Sequence, residues 1–181
     1  MAKNILVLTG SPRKGGNTDK LADAFTAGAR QAGHLVTRYA TADKDIKGCS
    51  DCKACQANAG VCVISDDFST LAPLVEQADL VAFVTPLYWF SFPAQLKAAI
   101  DRCYSLFLGN RPLKDKECVL IAGCGDSEAA FAGMVKSYQL IAEFLNWRDR
   151  GMVLVPELHD KDAVLKTAGL QKAETLGQNI L

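Results

Sequence analysis

The chain alternates short uninterrupted apolar runs with longer stretches in which apolar positions return every three or four residues. Asn4-Ile5-Leu6-Val7-Leu8-Thr9 is the first such run, and its β-branched and leucine content predicts a buried strand. Gly10, Pro12, Gly15 and Gly16 forbid its continuation. From about Thr18 the period changes: Leu21, Ala24, Phe25, Gly28 and Ala29 fall at helical spacing, Asn17 or Thr18 can cap that helix, and Gly33 lies where a glycine would stop it. Leu35-Val36-Thr37-Arg38-Tyr39 predicts a second strand, and positions 41–67 then carry no strong period. Asp66 or Asp67 can cap a helix running through Leu71, Leu74 and Val75. The run 80–84 is continuously apolar, as a strand covered on both faces would be, and Thr85-Pro86 ends it. Pro93 suits the first turn of a helix carrying Leu96, Ala99, Ile100, Cys103 and Leu106. Val119-Leu120-Ile121-Ala122 is the fourth strand, a helix runs from about Ser127 to Trp147, Met152-Val153-Leu154-Val155 is the fifth strand, and 160–181 reads as a last helix with a weak point at Gly169.

Five strands alternating with five helices predict right-handed βαβ units and an α/β fold, a parallel sheet covered on both faces. The 181 residues read as one domain, 1–181, with 41–67 as a cysteine-containing loop insertion. A chain of this length buries roughly 70% of the surface its unfolded form exposes. In such a sheet ligands bind beyond the carboxyl ends of the strands, where strand order reverses. The loops at 10–18, 85–92 and 123–126 all follow strands and should converge on that edge.

Composition narrows the functional classes. Twenty basic and twenty acidic residues cancel, which leaves no global basic surface for nucleic acid. No apolar run reaches the roughly 20 residues of a membrane span, and the Met-Ala-Lys-Asn start lacks a signal-peptide pattern, so the expected location is the cytoplasm. Any charge recognition must be local.

The first loop, Gly10-Ser11-Pro12-Arg13-Lys14-Gly15-Gly16-Asn17-Thr18, suits an anion, because the unpaired N–H groups and positive dipole end of the following helix face it. It is not a Walker A loop, since Gly15 is followed by Gly16-Asn17 where a lysine is needed. Nor is it the dinucleotide fingerprint, because Pro12 stands where the second glycine belongs. Ser11, Arg13, Asn17 and Thr18 remain as a donor set suited to one terminal phosphate monoester. A plain glycine-rich turn with solvated Arg13 and Lys14 is the alternative. The second loop sets Tyr88, Trp89 and Phe90 in a row after a buried strand, and three consecutive aromatics cannot all face one core. They line a flat ligand, plug the sheet end or meet another subunit. Gly123-Cys124-Gly125-Asp126 is a turn whose glycines permit close approach, or simply a βα connection. A phosphate pocket, a planar wall and an open glycine turn together match FMN.

Gly10-Ser11-Pro12-Arg13 with Gly16-Asn17-Thr18, Pro86-Leu87-Tyr88-Trp89 and the run 95–102 (Gln-Leu-Lys-Ala-Ala-Ile-Asp-Arg) resemble the NADPH-dependent FMN reductase family of flavodoxin-like proteins. The resemblance is continuous from residue 3 to about 126. It implies a flavodoxin-like three-layer sandwich with strand order 2-1-3-4-5. It further implies that Ser11, Arg13, Gly16, Asn17 and Thr18 hold the FMN phosphate, that Pro86, Leu87, Tyr88, Trp89 and Phe90 line the isoalloxazine, and that Gly123, Cys124, Gly125 and Asp126 close the site. The implied activity is that of an NAD(P)H oxidoreductase passing electrons through FMN to a small acceptor such as a quinone, azo or nitro compound. The flavin carries the chemistry and no side chain need be catalytic. A homodimer with the site near its interface is also implied. Lys97 and Asp101, four residues apart on a helix, read as a structural pair.

Four of the seven cysteines form Cys49-x2-Cys52-x2-Cys55-x6-Cys62. Three thiols at triplet spacing with a fourth nearby could ligate a [4Fe-4S] cluster, although the ferredoxin run has its last cysteine closer and followed by proline, where this chain has Val63. The motif resembles that of iron–sulfur flavoproteins. Zinc, a redox-active thiol set and a merely structural one are the other readings, and FMN without a cluster is the favoured expectation. The competing functional class is a non-enzymatic electron carrier, with or without that cluster. Cys103 and Cys118 read as buried hydrophobes, and Cys124 as a possible flavin contact. His34 and His159 lie at element edges, outside the three loops.

Overall fold

A computed structural model describes residues 1–181. Five parallel strands, β1 (Asn4–Thr9), β2 (Leu35–Ala40), β3 (Leu80–Pro86), β4 (Glu117–Gly123) and β5 (Arg148–Val155), form one sheet in the order β2-β1-β3-β4-β5. The helices are α1 (Asn17–Gln31), α2 (Ala54–Ala57), α3 (Phe68–Gln77), α4 (Ala94–Arg102), α5 (Tyr104–Leu108), α6 (Ala132–Leu145) and α7 (Gly169–Gln178). No helix is long and apolar enough to cross a membrane.

The two-residue period of a strand divides the core. Leu6, Leu8, Val81, Phe83 and Leu120 point to the face covered by α3 to α6, while Ile5, Val7, Ala82, Val84 and Ile121 point to the face covered by α1 and α7. On the second face the two helices touch backbone to backbone. A Cβ on Gly28 would fall on the Glu174 carbonyl oxygen, and one on Gly177 would fall on the Phe25 carbonyl oxygen. Gly28→Ala should therefore lower stability by about 1–3 kcal/mol, read as a reduced urea midpoint, because neither backbone can yield without moving a helix.

Several expected boundaries move. The stretch 127–147 is a 3-10 turn (Glu128–Phe131) followed by α6, which stops where Asn146 adopts the left-handed conformation, φ 55°. The expected tail helix from residue 160 starts only at Gly169. Left-handed Asp162 and extended Thr167 bracket a separate 3-10 turn, Ala163–Lys166. The helix after Pro93 divides at Cys103 into α4 and α5. Strand β5 begins four residues earlier than its apolar run. Its register against β4 shifts between Cys118 and Leu120, where Gly151 takes φ 129°.

Candidate functional site

Three loops at the carboxyl ends of β1, β3 and β4 meet in one cleft of about 130 Å³. Its walls are Ser11, Arg13, Gly16, Asn17, Thr18, Pro86, Leu87, Tyr88, Gly123, Cys124, Gly125 and Leu158. Close approach is built into its floor. A Cβ on Gly123 would press the Leu158 and Thr18 side chains, at 2.8 and 3.2 Å.

In the first loop the Ser11 hydroxyl accepts the Arg13 N–H at 3.1 Å, which leaves its own proton to donate elsewhere. Gly16, not Asn17 or Thr18, takes the N-cap position of α1, and no side chain caps the helix. The first-turn N–H groups, which the helix cannot pair itself, therefore open toward the cleft. Asp19 sits in that first turn, yet its carboxylate is held by Arg38 and by the Gly15 N–H, at 2.6 Å for the latter. The Asn17 side chain is spent outside the cleft: its amide donates to the Asp160 carbonyl at 2.8 Å and its oxygen accepts the Val164 N–H at 3.2 Å. It staples the segment after β5 to the loop, so any role for Asn17 toward an anion falls to its backbone. Lys14 turns away to Asp43 at 3.2 Å.

The second loop is a two-residue hairpin. Tyr88 and Ser91 exchange both backbone hydrogen bonds, at 3.1 and 3.0 Å, and Trp89 and Phe90 between them take φ 47° and 63°. Such turns favour Asn-Gly, because a left-handed residue with a Cβ costs roughly 1–2 kcal/mol. Two aromatics stand there instead, with Trp89 93% and Phe90 57% exposed. They lie beyond the cleft wall, as does Asp126, whose carboxylate accepts the Ser127 N–H at 2.6 Å. The double replacement Trp89→Asn/Phe90→Gly should stabilise the isolated protomer by about 1–2 kcal/mol, measured by urea unfolding at protein concentrations too low for self-association, since it relieves the backbone and removes no side chain buried within the chain.

The third loop is pinned by the segment after β5: Cys124 N–H donates to Val155 O at 3.1 Å and Leu158 N–H to Cys124 O at 2.7 Å. Gly125 and Asp126 keep N–H groups with no partner in the chain. Cys124 is buried, donates to Asp126 O at 3.2 Å, and burial pushes its thiol pKa up, so it stays protonated. Leu158 was absent from the expected set. Its signal is the rule that selected the other loops, because it lies just past the carboxyl end of a strand. His159 packs its ring nitrogen 3.5 Å from where a Cβ on Gly125 would sit, so it flanks the third loop. His34 is structural, accepting the Lys3 N–H at 3.1 Å and meeting Ile180 O at 2.9 Å.

The cysteine segment forms a second feature. Cys49, Cys52, Cys55 and Cys62 all line one small hollow with Tyr104, Ser105, Leu108 and Arg102. Their environments differ: hydrogen bonds from Ala54 N–H and Ser50 pull the exposed Cys52 thiol down, while burial and then the neighbouring thiols push Cys55 up. No three of the thiol, imidazole or carboxylate groups stand at the spacing of a single metal ion. Cys103 and Cys118 lie apart from this hollow, and burial pushes them up to about 12 and about 11. Asp66 is no simple cap. Its carboxylate accepts Phe68 N–H at 3.0 Å, but it is wholly buried and pairs with Arg102 at 2.6 Å.

A family model described as NADPH-dependent FMN reductase matches residues 3–158. An iron–sulfur flavoprotein of Archaeoglobus fulgidus is 33% identical over 96% of this chain and 76% of its own length. A Bacillus subtilis protein, provisionally named an NAD(P)H-dependent FMN-containing oxidoreductase, is 28% identical over 83% of each chain. Among solved structures, the NAD(P)H:quinone oxidoreductase of Methanothermobacter marburgensis superposes with a TM-score of 0.77 at 19% identity, covering 99% of this chain and 97% of the other.

Proposed function

Because the chain belongs to the NADPH-dependent FMN reductase family, we propose that the three-loop cleft holds the FMN of an NAD(P)H-dependent oxidoreductase. The observation that carries this placement is the convergence of an anion-binding helix start, an aromatic hairpin and an open glycine turn on one cleft. The phosphate is bound by the Ser11 hydroxyl, Arg13 and the first-turn N–H groups of Asn17 and Thr18, at the turn that Gly16 closes by donating its own N–H to Arg13 O at 3.2 Å. Pro86, Leu87 and Tyr88 form the wall of the ring, with Trp89 and Phe90 over its rim. The free N–H groups of Gly125 and Asp126 stabilise negative charge at the ring edge, and Cys124, kept neutral, adds none. When bound, FMN supplies the redox chemistry, taking a hydride from NAD(P)H and delivering electrons to a small acceptor. No side chain is assigned as an acid or base. The exposed Trp89 and Phe90 rings are covered by a second copy of the chain, which makes the working unit a homodimer.

The test is steady-state NAD(P)H oxidation by the FMN-loaded protein with quinone, azo and nitro acceptors. Turnover is expected. Its absence, together with rapid reduction by a ferredoxin, would show an electron carrier instead.

A second reading is supported by the hollow shared by Cys49, Cys52, Cys55 and Cys62, and by the A. fulgidus relative's name. Cysteine ligates iron as the thiolate, and the Arg102 guanidinium, which lines the same hollow, is a cation beside the four sulfurs. The donor set fits a [4Fe-4S] cluster, which would supply one-electron transfer.

A further inference from the structure

Arg102 closes α4 with its side chain 1% exposed. Its guanidinium fastens both ends of the cysteine segment. One terminal nitrogen donates to Lys47 O at 3.0 Å, two residues before Cys49, and the other to Ile64 O at 3.3 Å, two residues after Cys62. Both also reach the Asp66 carboxylate, at 2.6 and 3.2 Å. Asp66 adds a second tie to the same neck by accepting the Lys47 N–H at 3.0 Å. These bonds already complete a clasp. One donor is left over: Nε–H is buried without a hydrogen-bond partner, and Arg102 shares the wall of the hollow with Cys62. An orphaned buried donor carries its full desolvation cost, larger when the group is charged, so its orientation needs a reason.

We propose that Arg102 is the positioning residue of a [4Fe-4S] cluster held by Cys49, Cys52, Cys55 and Cys62, fixing the neck of the loop through its two terminal nitrogens and donating Nε–H to sulfur at the Cys62 side. The inference rests on the cluster reading given above. Its consequence is electrochemical. A donor aimed at a ligand sulfur stabilises the more negative member of the redox couple, so it raises the reduction potential. Asp66 neutralises the net charge of Arg102, and the effect therefore comes from the directed N–H bond. Removing the Asp66 charge unmasks the guanidinium and should raise the potential further.

The experiment uses the FMN-loaded full chain purified anaerobically. Iron and sulfide are counted, and dithionite titration is followed by electron paramagnetic resonance. About four irons per chain are expected. Arg102→Lys should keep the iron but lower the potential by about 59 mV, a tenfold shift for one electron, while Asp66→Asn raises it. In the wild-type protein labelled with 15N-arginine, pulsed resonance of the reduced cluster should show a nitrogen coupling, a measurement that does not depend on either variant folding. An unshifted or raised potential in Arg102→Lys, an unshifted or lowered one in Asp66→Asn, or no 15N coupling overturns the role of Arg102 and leaves the cluster reading standing. Iron-free wild-type protein overturns both.

Discussion

Asp66→Ala is expected to destabilise the protein by about 3–5 kcal/mol, the loss that follows when one partner of a buried ion pair is removed and the other stays behind. Both side chains are essentially excluded from water, 1% for Arg102 and 0% for Asp66. The variant would leave a guanidinium stacked over Phe68, 4.8 Å from its ring, with no counter-charge. It would also free the N–H groups of Lys47 and Phe68. Asp101→Ala provides the contrast, since the Lys97–Asp101 pair is nearly half exposed on both sides and such a pair contributes at most about 1 kcal/mol. Urea unfolding of the two variants decides the matter, and equal losses would mean that the buried pair holds nothing together. The same carboxylate gives a pH signature. Burial resists its ionisation, but Arg102 and the two N–H groups outweigh burial and hold its pKa below the ordinary 3.8. A depressed native pKa contributes stability that is complete above 3.8 and is lost as pH falls through the native value. Stability below pH 3.8 should therefore fall less steeply in Asp66→Asn than in the wild type.

Asp66 also marks where sequence pattern stops being informative. Continuous apolar runs located β1, β3, β4 and β5, the central ones because a strand covered on both faces has nowhere to put a polar side chain, whereas β2 at the sheet edge carries the mixed run Leu35-Val36-Thr37-Arg38-Tyr39. Their ends extended further in β4 and β5, where pairing with a neighbour carries the backbone past the apolar residues. Helix ends were set by contacts between distant segments. Asn17 has the chemistry of a cap but bonds Asp160 and Val164, and that choice depends on a segment more than 140 residues away. Arg102 left a trace that could have been used: Leu96, Ala99 and Arg102 fall three apart on the buried stripe of one helix, so a charge stands on the apolar face. Its partner was not legible, because Asp66 and Asp67 look alike in sequence. Only the fold sends Asp66 inward and Asp67 to the Asp45 N–H. Leu158 obeys the same edge rule, but the segment after β5 carries no glycine or aromatic cluster to mark it.

The double variant Ser11→Ala/Arg13→Ala should weaken FMN binding about a hundredfold to a thousandfold and leave riboflavin binding unchanged. Each charge-assisted bond to a phosphate contributes roughly 1.5–3 kcal/mol. Arg13 is exposed, so its share lies at the low end, about tenfold, and shrinks as salt is added. Ser11 is less exposed, and the Arg13 N–H fixes its hydroxyl so that the proton has one place to go. The two residues share one ligand group, and their losses should couple in the double variant instead of adding. Riboflavin lacks the phosphate, so titrating both flavins into apoprotein separates loss of an anchor from damage to the cleft. Equal weakening of the two would overturn the assignment of this loop. Lys14→Ala sharpens the comparison, because Lys14 has the same charge one residue away but faces Asp43. If the loop worked through net positive charge, Lys14 and Arg13 would matter equally. If it works through aimed donors, Lys14→Ala leaves FMN affinity within about twofold, since only a long-range screened interaction is lost.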